Sequence, residues 1–407
     1  MRRALLLAAL AVLLAACSKT KNVHTPKKLV PFAASLRVQR VWTASVGGTG
    51  KPLFFGLGFA AGGKSLLLGL GLATGGGRVY AAGYGGKIAA FDLESGRRLW
   101  LRRVKAQLGG GPGADSNLIV VGSVDGDVFA LDAASGAVRW HVNIAAEILA
   151  APAVSPKIIV VRGVDGSLHG LSPVDGHELW RSQVQVPALS LRGTSSPVIV
   201  GRAVVCGYDN GTVVDTSLSD GSSVWTQQIS TPHGSNAIEE LNDVDATPRL
   251  SRGEVYVAQY QGRVAMLTLK SGQISWSRKM SSYRGMSIDA HDVYVSTSEG
   301  EVAALRRSNG TVVWQQDALA YRELTTPVVS GNAIVVVDYQ GYVHWLAKST
   351  GAFLARARSG RERVSNAPVV AGGLVLVIND EGAISAFRTT PLASPQPAKP
   401  RRGKRGH

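Results

Sequence analysis

The sequence predicts an all-β protein: an eight-bladed β-propeller with four antiparallel strands per blade, closed by an N-terminal strand that completes the last blade. Three observations carry that expectation. A glycine in an x-G-x-hydrophobic unit recurs at Gly86, Gly126, Gly166, Gly211, Gly262, Gly300, Gly341 and Gly382, with gaps of 40, 40, 45, 51, 38, 41 and 41 residues. Six of these units run through a glycine turn to a tryptophan, at Trp100, Trp140, Trp180, Trp225, Trp276 and Trp314. Between them lie β-rich runs of four to seven residues parted by turn dipeptides, without helical periodicity. A period near 40 residues signals a propeller or a solenoid. Four strands per unit select the propeller, in which each blade buries its faces only against its neighbours.

The elements follow in chain order. Residues 1–16 read as a secretory signal, with a cationic MRR followed by the apolar ALLLAALAVLLAA. Leu14-Ala15-Ala16-Cys17 resembles the lipobox of bacterial lipoproteins, which implies cleavage before Cys17 and its acylation. Ser18 stands where inner-membrane lipoproteins usually carry Asp, which implies the outer membrane. An ordinary signal peptide that happens to contain a cysteine is the alternative. Residues 17–36, polar and basic with Pro26 and Pro31, are expected to form a lipid-anchored tether, and 37–388 the propeller. Residues 389–407, rich in proline and cations, are expected to be a disordered tail.

Inside the propeller, EGAISAFRTT (381–390) has no tryptophan after it, and Trp42 in RVWTASVG (40–47) has no repeat unit before it. Residues near 38–46 should therefore supply the outer strand of the last blade. The seventh unit departs from the pattern, with Ala355 near the tryptophan position. In the apolar stretch 52–73, glycines and Lys64 make a poor helix. Its second half, LLLGLGLA (66–73), is expected to be the inner strand of blade one after an inserted loop; a segment dipping into the membrane is the other reading. One blade, 197–228, should take its strands from PVIV, AVVCGY, TVVDTSL and SVWTQQ.

The charge is +16, from 44 Lys and Arg against 28 Asp and Glu. Such a balance suits nucleic acid, an anionic membrane or solubility alike. No aromatic-interleaved basic patch accompanies it, so nucleic acid is not an expected partner. With Cys17 acylated, only Cys206 remains, in the apolar AVVCGY, where a buried, inert thiol is expected. The eight histidines lack metal-ligand spacing. No nucleophile elbow occurs, and the runs GGTGK and GLGLATGGG lack the strand–loop–helix setting of a phosphate site. Acidic residues before the turn glycine (Asp125, Asp165, Glu299, Glu381) read as hairpin features. The Trp, Gly and Asp spacing resembles the repeats of pyrroloquinoline-quinone dehydrogenases. Their adjacent cysteines are missing, however, and no calcium-ligand cluster stands out. The expectation is a non-enzymatic scaffold without cofactor or metal; the rival is a periplasmic quinone-dependent propeller dehydrogenase.

In this topology, D-to-A connections and B–C turns share one face. The two largest repeat gaps fall in the D-to-A connections after Trp180 and after Trp225, so both insertions elaborate that face. The first carries Leu189, Leu191 and Arg192, and the second Asp243 and Asp245. An apolar pair beside a cation, facing two carboxylates, could form a recognition patch. Equally, the leucines could face inward and Arg192 pair with the aspartates structurally.

CSKTKNVHTPKKL, RVWTASVG, ALSLRGTSSP and LNDVDATP, in that order along the chain, resemble the BamB family of lipoproteins of the outer-membrane β-barrel assembly machinery. The resemblance runs from the lipobox to about residue 388. It implies a scaffold anchored at the periplasmic face of the outer membrane that assists folding and insertion of β-barrel proteins. It also implies that Leu189, Leu191, Arg192, Asp243 and Asp245 engage BamA through its POTRA domains, alongside the other lipoproteins of the machinery. Exposed blade edges could also pair with nascent outer-membrane strands. The insertion 47–64 and the basic tail depart from the family pattern, so the resemblance assigns them no role.

Overall fold

In the computed structural model, the described residues are 25–47, 71–187, 195–229, 244, 246–282 and 284–392. Every regular element among them is a strand, and the strands group into eight four-stranded antiparallel sheets. Seven sheets are built from four consecutive strands, A to D from the axis outward. The eighth takes A to C from Val369–Ala371, Leu374–Ile378 and Ala383–Pro391, and its outer strand from Leu36–Ser45 at the other end of the chain. Trp42 lies opposite Ala386 in that closing pair, as its isolation in the sequence predicts.

The blade read most closely from sequence folds as Val198–Val200, Ala203–Gly207, Thr212–Ser217 and Ser223–Gln228. Strands B and C are buried because alternating residues face the two neighbouring blades, which gives them near-continuous apolar runs such as AIVVV (Ala333–Val337). Cys206 sits among them at 1% exposure, and burial pushes its thiol pKa up. Blade one departs from expectation. Its inner strand is Leu72–Gly75, so only Leu72 and Ala73 of the expected 66–73 belong to it, and residues 48–70 lie outside the described residues. The hairpin sets this register: Gly75 pairs with Arg78 across Gly76 and Gly77, whose φ values of 56° and 73° suit a tight two-residue turn.

One device joins the blades. Each outer-strand tryptophan opposes a residue on strand C of its own blade and lays its ring on the C–D turn glycine of the next blade. Trp140 opposes Ala130, and a Cβ on Gly176 would fall 2.6 Å from Trp140 Cε3. The indole N–H then donates to a main-chain carbonyl of that next blade, as Trp140 does to Pro173 (3.0 Å) and Trp180 to Leu218 (2.9 Å). Trp42 makes the same contacts from blade eight to blade one, with Gly96 and the Leu93 carbonyl.

Blade seven breaks the rule for a structural reason. Blade eight has no C–D turn, because its outer strand comes from the other terminus, so it offers no turn glycine to receive a ring. The pair is reversed across the strands of blade seven: Trp345 stands on strand C opposite Ala355. Trp345 is fully buried and meets Phe387 of blade eight edge-on, with ring centroids 5.9 Å apart.

Candidate recognition face

The B–C turns and D-to-A connections share one face of the disc, as the strand order requires. The expected hairpin role of the acidic turn residues is visible at Asp165, whose carboxylate accepts from the Ser167 N–H at 3.0 Å. The long connections run from Gln183 to Val198 and from Gln228 to Arg249, joining blade three to four and four to five. Leu189, Leu191, Arg192, Asp243 and Asp245 lie outside the described residues, as does Cys17. The roots of both connections are described, and they are bound to each other.

Ser195, where the first connection returns, is buried, and its hydroxyl donates to the Ala246 carbonyl at the end of the second (3.4 Å). Thr247 Oγ1 accepts from the Ser196 N–H at 3.3 Å, and Ser196 Oγ in turn accepts from the Ala151 N–H at 3.2 Å. Val244, between the two aspartates, is fully buried and donates its N–H to the Tyr208 carbonyl at 3.2 Å. Its side chain fits against Gly207, where a Cβ would come within 2.5 Å of Val244 Cγ1. The alternation Asp-Val-Asp thus buries the valine, and the pattern in NDVDAT carries the signal.

Beneath these roots lies a charged pair that sequence reasoning missed. The Arg162 guanidinium is wholly buried; it meets Asp209 at 3.0 Å, donates to the Ser195 carbonyl at 3.4 Å and lies 4.5 Å from the Tyr208 ring centre. It also donates to the Gly207 carbonyl at 2.6 Å. Arg162 precedes its repeat glycine by four residues. At that offset the other seven blades carry Ala82, Gly122, Gly207, Ala258, Ser296, Val337 and Ile378, so an arginine there is the legible signal. A buried guanidinium needs a carboxylate and hydrogen-bond acceptors. Here Asp209, Gly207 and Ser195 supply them to its two terminal nitrogens from blade four and the first loop root, while Nε has no partner among the described residues. Burial also pushes the Tyr208 hydroxyl pKa up, so it stays neutral.

A second buried network lies under blade seven. Asp338 is fully buried between Arg322 (2.7 Å) and His344 (3.2 Å). Burial opposes its charge, but the His344 and Arg322 partners hold its carboxyl below the usual carboxylate range. Burial likewise holds the His344 pKa down against the pull of Asp338. Arg356 Nε donates to His344 Nδ1 at 3.2 Å, which leaves the ring proton on Nε2, facing Asp338. Among the described residues, no three or more His, Cys, Asp or Glu side chains are grouped to hold a metal ion.

Fold and face together define a class: a propeller closed by its own N-terminal strand and pegged by tryptophans, with two long connections side by side on one face. Comparison with known proteins narrows the class. A family profile described as outer membrane protein assembly factor BamB matches residues 84–316. The chain is 39% identical over 387 residues to the BamB of Alkalilimnicola ehrlichii, covering 95% of this chain and 97% of that one. It is 34% identical to the BamB of Xanthomonas campestris, with the same two coverages, 95% and 97%. The crystal structure of BamB from Moraxella catarrhalis superposes with a TM-score of 0.76 at 27% identity, covering 86% of this chain and 100% of that one. A quinohemoprotein alcohol dehydrogenase from Comamonas testosteroni shares the fold alone, at a TM-score of 0.66 and 12% identity over 86% of this chain and 76% of that one. The chain belongs to the BamB family of outer membrane protein assembly factors.

Proposed function

We propose that this protein is a non-enzymatic scaffold of the β-barrel assembly machinery, anchored by lipid on Cys17 at the periplasmic face of the outer membrane. In this reading it binds the POTRA domains of BamA and holds that partner for folding and insertion of outer-membrane β-barrels. Leu189 and Leu191 supply desolvated contact; Arg192, Asp243 and Asp245 set register through charge. One observation carries the reading: the roots of both long connections are bonded to each other through Ser195, Ser196 and Thr247, over the buried Arg162–Asp209 pair. Two loops fixed at their bases to one rigid platform present their tips at low entropic cost on binding. The family membership supports the same role.

The test is Arg192→Glu. It should abolish co-purification of BamA while leaving the thermal melt unchanged. A variant that loses its melt together with its partner would instead assign Arg192 to the fold.

A further inference from the structure

The chain N-terminal to the closing strand does not leave the propeller at residue 36. Residues 27–35 cross the outer edge of blade seven. At one end the Ser35 N–H donates to the Leu354 carbonyl (2.9 Å), close to the C–D turn. Midway, Phe32 stacks on Phe353 with centroids 5.1 Å apart, and Arg356 donates to the Val30 carbonyl at 3.1 Å. At the other end, the Lys27 N–H donates to the Ala320 carbonyl (3.0 Å), Lys27 Nζ meets Asp317 at 2.7 Å, and Arg322 donates to the Lys27 carbonyl at 3.0 Å. Arg322 and Arg356 belong to the buried Asp338–His344 network, so the strap is held by side chains that are themselves fixed. Asp317 and Ala320 lie in the D-to-A connection between blades six and seven. The strap therefore brings the chain at Lys27 to the face that carries the D-to-A connections. Cys17 lies eight residue steps before Thr25, a distance that a fully extended chain spans in at most about 28 Å.

A second, independent observation concerns charge on that same face. Where blades two and three place Asp-Gly in the B–C turn and blades six and eight place Glu-Gly, blade one reads GYGGK (83–87). Lys87 follows the turn directly and pairs in register with Arg103, a like-charged neighbour; exposed Lys105 follows in the D-to-A connection. Among the described residues, no carboxylate forms an ion pair with any of the three. Like charges set side by side without an ion-pair partner are unfavourable unless an anionic surface answers them. Glu362 and Glu381 stand on this same face, in a D-to-A connection and a B–C turn, and Asp125 and Glu147 of blade two press on the Tyr84 hydroxyl and bound the patch there.

We propose that the face bearing the D-to-A connections is the one turned toward an anionic lipid surface, with the strap as the device that orients it and Lys87, Arg103 and Lys105 as its headgroup contacts. The placement of the anchor selects lipid over an acidic protein: the tether ends on this face, within reach of a bilayer. The seam between blades eight and one lies across the disc from the junction of blades four and five, so headgroups bound there are kept apart from the connections 184–197 and 229–248, while the connection from Ser45 to Leu72 leaves the disc at the same seam. The direction of the tether rests on the reading of Cys17 as the acylated residue; the binding test does not.

The test uses the full chain carrying Cys17→Ala, so that no acyl chain contributes, with sedimentation on vesicles of phosphatidylethanolamine and phosphatidylglycerol. The partner vesicles replace phosphatidylglycerol with phosphatidylcholine. Binding should require the anionic lipid and fall with salt. Lys87→Glu, Arg103→Glu and Lys105→Glu together should weaken it about tenfold or more. Arg78→Glu, Arg97→Glu and Arg98→Glu remove the same charge from the opposite face of the same blade and should leave it within about twofold. Equal losses in the two triple variants, no loss in the first, or equal binding to both vesicles would overturn the proposal. Retention on an acidic protein without retention on anionic vesicles would overturn it too. None of these readouts involves BamA, so each outcome leaves the Arg192→Glu test independent.

Discussion

The indole N–H of Trp140 donates to the carbonyl of Pro173 in the following blade at 3.0 Å, while its ring closes over Gly176. One side chain thus joins two sheets that share no ladder hydrogen bonds, and this contact is repeated around the ring wherever the next blade has a C–D turn.

Removing that peg should be expensive. Trp140→Ala leaves a cavity and an unpaired carbonyl, and should cost about 3–5 kcal/mol. Gly176→Ala should also destabilise, because the residue has φ of 79° and a Cβ would meet the ring at 2.6 Å. Urea unfolding of the two variants checks both. A Gly176→Ala variant as stable as the parent would mean that the ring does not seat on that glycine.

Blade seven gives a sharper version. Trp345→Ala should lose about 3–5 kcal/mol by the same cavity argument. Adding Ala355→Trp, which restores the tryptophan to its position in the other blades, should not recover that loss. Blade eight has no turn glycine to receive the ring, and the Phe387 contact would still be missing. Recovery in the double variant, read by the same unfolding curves, would refute the missing-socket explanation.

Asp215 occupies the place opposite Trp225 where Ala90, Ala130, Ala304 and Ala386 face their tryptophans. Burial pushes its carboxyl up to about 6, with the Trp225 side chain opposing the shift. The folded pKa is raised, so the folded protein holds the proton longer than the unfolded chain. The cost of burying Asp215 is absent below about pH 4, grows as pH rises to about 6 and is complete above it. Asp215→Ala should therefore stabilise at pH 7 by about 1–2 kcal/mol and make little difference at pH 4. Melts at the two pH values decide; an unchanged or lowered melting temperature at pH 7 would contradict it.

Much of this protein was legible in the residue order. The repeat glycines mark turns, the tryptophans mark outer strands, and the isolated Trp42 marks closure, because each reports local backbone geometry or one recurrent contact. Placing both long connections on one face needed only the order of strands.

Tertiary structure decided the rest. That Ala355 lacks a tryptophan because blade eight lacks a turn follows from chain ends meeting in space, not from the repeat. That Arg162 seats in blade four, and that Lys27 to Ser35 cross blade seven, depend on partners 33 or more and 290 or more residues away. Spacing in the sequence constrains neighbours a few residues apart; a buried charge finds its counter-ion only when the ring has closed around it.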